Sequence, residues 1–71
     1  MQILYDVKGD LVYLRLDDRQ QQVINRRLAE DIVLDIGEDD RIVGIEILDA
    51  SHHLNLGRLL PVEYKLSPGT V

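Results

Sequence analysis

Hydrophobic and polar positions alternate most sharply over residues 41–51. There Val43, Ile45 and Ile47 fall on one face of an extended chain, and Ile42, Gly44, Glu46 and Leu48 on the other. Period two with β-branched residues predicts a central strand, because branched side chains suit a pleated surface better than a helix. A strand apolar on both faces has to be covered on both, by other parts of the chain or by a second copy.

The remaining pattern supplies its neighbours. Gln2–Asp6 and Leu11–Leu16 read as two strands around a turn containing Lys8-Gly9-Asp10. With Lys8 and Gly9 at the turn's centre, Tyr5 stands opposite Val12 and Ile3 opposite Leu14, so the apolar residues share a face that Leu16 continues. The other face carries Leu4, Leu11, Tyr13 and Arg15. A polar loop, Asp17–Gln21, leads to an irregular third strand over Gln22–Leu28, where Arg26 and Arg27 suit a sheet edge because charge there discourages stray pairing. Ile32–Ile36 is a clear fourth strand with Ile32, Leu34 and Ile36 on its core side.

A hairpin centred between Glu38 and Asp39 would then pair Ile32 with Ile45 and Leu34 with Val43. It would also set Asp31 opposite Glu46, with Asp35 and Gly44 on that same side. Beyond the central strand, Asp49 and Ser51 are N-cap candidates for a short helix within His52–Leu60, or for a single turn ending near Gly57. Pro61 ends that segment, Val62, Tyr64 and Leu66 alternate as a last strand, and residues 67–71 form a frayed tail. The fold predicted is mainly β (α+β): an antiparallel meander sheet of about five strands with a short helix or turn after the central strand and a C-terminal strand, in one domain over residues 1–66.

Size changes the picture. The chain has 71 residues and no cysteine, so neither disulfides nor thiolate-bound metal can reinforce a small core, and oligomerisation is the remaining device. A homodimer is expected, with Leu4, Leu11, Tyr13, Ile42 and Leu48 as interface residues. A net charge of −5 and a sequence pI near 4.7 argue against a bare nucleic-acid or anionic-membrane surface and favour a basic protein partner. No basic n-region follows Met1, and no apolar run approaches the roughly 20 residues of a membrane span, so a soluble cytoplasmic protein is expected.

Candidate chemistry is sparse. Asp31, Asp35 and Glu46 could gather on one sheet face to bind a hard cation or a basic side chain. His52, three residues after Asp49, is a second candidate, although His52 and His53 must point apart and cannot chelate one ion without further ligands. No catalytic triad, glycine-rich phosphate loop or zinc spacing is present, and no cofactor is implied. Gly44 reads as a close-packing position that a large side chain crosses.

Tyr5-Asp6, Tyr13-Leu14-Arg15-Leu16, Asp35 ahead of an acidic turn, and the run Val43-Gly44-Ile45-Glu46-Ile47-Leu48-Asp49-Ala50-Ser51 together resemble a small prokaryotic domain-of-unknown-function family, over about residues 2–54. Where that family commonly has an Asp-Gly turn, this chain has Asp39-Asp40, and its usual acidic, alanine-bearing first turn is replaced by Val7-Lys8-Gly9. The resemblance implies a compact sheet domain with no established activity and, from members encoded beside toxin-like proteins, an antitoxin-like partner role. The function expected is a non-enzymatic interaction module; the alternative is a small metal-dependent or acid-base enzyme using the acidic sheet face.

Overall fold

The computed structural model describes residues 1–68. Asp6 opens the first turn, its carboxylate accepting the backbone N–H of Lys8 at 3.1 Å and of Gly9 at 3.2 Å. Such a local bond folds the chain back without help from the rest of the protein. It joins β1 (Gln2–Asp6) to β2 (Leu11–Arg15) with Ile3 opposite Leu14 and Tyr5 opposite Val12, the register the apolar pattern predicts.

β3 (Ile24–Ala29), β4 (Ile32–Ile36) and β5 (Ile42–Leu48) complete a five-stranded antiparallel sheet in the order β1-β2-β5-β4-β3. The most apolar strand, β5, is the central one, and Arg26 and Arg27 lie on an edge strand. The order is not the sequential meander. β2 pairs with β5 rather than β3, and residues 16–23 cross the end of the sheet, with the Leu16 and Asp17 N–H groups both donating to the Val43 carbonyl at 2.7 and 3.1 Å. A strand apolar on both faces gains most from having a hairpin on each side, which the sequential order would deny it.

The second hairpin departs from its predicted register by two residues. Ile32 stands opposite Ile47, Leu34 opposite Ile45 and Val33 opposite Glu46, so Asp31 does not face Glu46. The cause is the connection: a 3₁₀ turn at Glu38–Asp40, with Asp39 and Asp40 at φ 58° and 57°, and a register shift between Asp35 and Ile36 that sets Ile36 opposite Ile42. Slipping by two keeps the core faces matched, which is why the apolar pattern alone could not distinguish the two registers.

After β5, α1 (Ala50–His53) makes one turn and a 3₁₀ turn follows at Leu56–Arg58. The helix is shorter than the predicted His52–Leu60 span and begins before it. Residues 62–66 join no strand, and Val62, Tyr64 and Leu66 stay exposed. Of the tail expected at 67–71, residues 69–71 lie outside the described residues.

Residues directly opposite across strands share a face. One face carries the rows Ile24–Ile36–Ile42, Arg26–Leu34–Ile45–Leu14–Ile3 and Ala29–Ile32–Ile47–Val12–Tyr5; we call it the apolar face. The other carries Asn25–Asp35–Gly44–Arg15–Gln2 and Arg27–Val33–Glu46–Tyr13–Leu4; we call it the mixed face. The C-terminal segment shares an open groove with the β1 side, lined by Met1, Ile3, Leu56, Leu59 and Leu60. Val12 on β2 is fully buried, whereas Ile24 on β3 is 70% exposed.

Candidate functional site

Two groups of side chains converge, and they divide the acidic residues that the sequence places together. The first is on the mixed face. Register brings Asp35 beside Gly44, with Glu46 one pair further along on the same side. Because Gly44 has no side chain, the Tyr13 ring lies across it: a Cβ on Gly44 would stand 2.2 Å from the Tyr13 hydroxyl oxygen. The crossing expected of Gly44 is therefore made by Tyr13. Its hydroxyl donates to Asp35, as does the Asn25 side-chain amide.

Asp35 is buried, at 9% exposure, which is why it collects donors: a desolvated carboxylate is costly without them. Glu46 has a worse position. Burial and then the Asp35 charge push its carboxyl above the usual carboxylate range, only partly opposed by Arg27. Burial and the bond to Asp35 likewise raise the Tyr13 phenol. The Arg15 guanidinium sits 5.6 Å from the Tyr13 ring centroid, within cation–π range.

The second group lies at the end of the sheet where α1 leaves β5. Asp49 takes a left-handed conformation, φ 53° and ψ 44°, and makes no side-chain cap bond; its carboxylate turns instead to His52 Nδ1 at 2.7 Å. The cap comes from Asp10 in the β1–β2 turn, which accepts the Ser51 N–H at 3.0 Å and the Ser51 hydroxyl at 2.7 Å. Tyr5 donates to the same carboxylate at 2.9 Å, and the Ala50 N–H to the Asp10 carbonyl at 2.9 Å. These donors, led by the Ser51 hydroxyl, hold the Asp10 carboxyl below its ordinary value; the bond to Asp10 raises the Tyr5 phenol. His52 is raised by its bond to Asp49.

His53 points elsewhere, to Asp31 at 2.9 Å, as adjacent side chains must. The structure thus moves Asp31 out of the Asp35–Glu46 group and into this one. Asp10, Asp49 and His52 can each offer one ligand atom within 4.8 Å of the others, and so can Asp31, Asp49 and His53. Sequence reasoning missed Asp10. It lies 41 residues from Ser51, and no local pattern links them.

The expected interface residues separate as well. Leu4, Leu11, Tyr13 and Leu48 lie on the mixed face, with Leu4 exposed and the others half-buried. The register shift places Ile42 opposite Ile36, on the apolar face. Among the described residues no helix is long and apolar enough to cross a membrane.

Comparison with known proteins adds a family and one curated relative. Residues 2–51 match the profile of a family described as "Protein of unknown function (DUF2283)". A protein of Methanosarcina mazei named "Putative hypoxanthine phosphoribosyltransferase" is similar, 62% identical over 54 residues. Those residues are 76% of this chain but 42% of the relative, so the chain spans less than half the relative's length. No solved structure matches.

Proposed function

From the membership of this chain in the protein family of unknown function DUF2283, we propose a non-enzymatic protein-interaction module: an acidic homodimer, working in the cytoplasm, that holds a basic protein partner as antitoxins do. The observation that carries the reading is surface. The chain exposes 6004 Å². A compact monomer of 8.1 kDa would expose about 4,500 Å². The radius of gyration agrees, at 13.6 Å against about 11 Å for a compact chain of this length.

The excess, about 1,500 Å², is shared between the unpaired residues 62–66, whose Val62, Tyr64 and Leu66 are exposed, and the sheet; a standard protein interface takes ~800 Å² from each partner. A single sheet layer with few fully buried side chains needs a second layer. Net charge of −5 then favours a basic partner for whatever surface the dimer leaves free, with association that weakens as salt rises. Sedimentation of the parent chain from millimolar to low micromolar concentration, followed in parallel by denaturation, tests the dimer. A folded monomer throughout would refute it.

The second reading, a small metal-dependent or acid-base enzyme, is favoured by the two Asp/His constellations around Asp49 rather than by the sheet face that first suggested it. Calorimetric titration with Mg²⁺, Mn²⁺ and Zn²⁺ separates the two; absence of heat with all three removes the metal version. The match covers 42% of the relative, so the phosphoribosyltransferase in that protein's name is not carried over to this chain.

A further inference from the structure

Resting on the homodimer reading and naming its surface, we infer that the second copy packs on the β3–β4 half of the apolar face, over Ile24, Ile32, Leu34, Ile36 and Ile42. These residues are neighbours by register, Ile24 opposite Ile36 and Ile36 opposite Ile42, with Leu34 and Ile32 in the next two rows. Nothing polar intervenes except Arg26, opposite Leu34. Ile24 is 70% exposed, Ile42 46% and Ile32 37%, while Leu34 and Ile36 are half-buried. The C-terminal segment shares its groove with Met1 and Ile3, at the opposite edge of the sheet.

The mixed face is a poor alternative. Burying it against a copy of itself would desolvate Arg15, Arg27 and the half-buried Glu46 in each copy, and interface cores are depleted in such groups. The apolar patch, by contrast, suits its own copy. An isologous contact uses one patch twice. This patch has Arg26 at one margin and the acidic turn Glu38–Asp40 following Ile36 at its end, so a two-fold mate can set opposite charges against each other. The exposed Ile24, Ile42 and Ile32 supply apolar surface for such a contact, which takes ~800 Å² from each partner.

Two measurements test the surface. The first is sedimentation of the parent, of Ile24→Asp on the patch and of Leu4→Asp on the mixed face. Ile24 and Leu4 are both well exposed in the single chain, so neither change disturbs its interior. Ile24→Asp should raise the dimer dissociation constant about 30-fold or more, the scale of an interface hot spot, and Leu4→Asp should leave it near the parent value. The second uses the absence of cysteine. A spin label on Ile24→Cys should report a short distance between copies, and one on Leu4→Cys a long one, even if the charged variant fails to fold. A dimer that survives Ile24→Asp but dissociates with Leu4→Asp, or the reverse order of distances, overturns this surface and leaves the homodimer standing. A parent that is a folded monomer overturns both.

Discussion

Glu46→Gln should stabilise the protein at neutral pH, although it removes a charge from a half-buried position on the central strand. Glu46 shares the mixed face with buried Asp35, one pair along β5 from Gly44, and its carboxyl is raised by burial and by that neighbour's charge. The folded-state value exceeds the unfolded one, so its contribution to stability is fully present below the ordinary carboxylate range and is lost as pH rises through the raised value. At pH 7 the ionised side chain is therefore a net cost. Like charges on neighbouring strands cost a few tenths to about 1 kcal/mol. Half-exposure to water and the opposing Arg27 keep the value inside that range rather than above it.

Gln has the same shape, and its amide can donate to Asp35 as the protonated Glu46 carboxyl does. The full gain is expected at pH 7, shrinking towards zero near pH 3, where the parent is itself protonated. In urea, with a slope of about 1 kcal/mol/M for so small a chain, the midpoint should rise by about 0.3 to 1 M. Chain concentration must be equal in the two samples, since dimerisation would couple it to the midpoint. A loss of stability would show that Glu46 is held by a bond such as one to Arg27, and a gain of the same size at both pH values would show that repulsion by Asp35 is not the governing term.

Three further outcomes follow from the same geometry. Gly44→Ala forces a Cβ to within 2.2 Å of the Tyr13 hydroxyl oxygen and 2.5 Å of ring carbon Cζ, and should cost about 1–3 kcal/mol in urea denaturation. The same change combined with Tyr13→Leu should cost less than the two single changes added together, because the crossing ring is gone. Asp10→Ala should speed amide exchange at Ser51 and loosen α1, whereas Asp10→Asn, which retains one acceptor oxygen, should do so less; equal exchange in both would show that the cap does not hold the helix. In an NMR titration His52 should change protonation above the ordinary imidazole value, and Asp49→Asn should bring it back; a midpoint unmoved by that change would remove the Asp49 bond as the cause.

Local pattern determined the strands. Alternation in Gln2–Asp6, Ile32–Ile36 and Ile42–Leu48 is a property of neighbours in the chain, and so is the first hairpin, whose register follows from a short turn and matching apolar residues. The centrality of β5 was legible too, since a strand apolar on both faces cannot sit at an edge. For Gly44 the close crossing could be inferred, but the partner that makes it could not.

What the sequence left open are matters between segments. The register of β4 on β5 depends on a turn with two left-handed aspartates and a bulge, and a slip of two residues preserves every apolar match. That slip alone decides that Glu46 meets Asp35 across Gly44's row, while Asp31 leaves for His53. The capping of α1 by Asp10 and the non-sequential strand order arise from contacts across the folded chain, which no window of sequence contains. Residues 62–66 alternate like a strand yet join none, because alternation states which residues can share a face and not whether a sheet edge is within reach. The same limit applies to Ile42: its period assigned it to the face of Leu48, and only the bulge at Val43 in its own strand turned it to the face of Ile36.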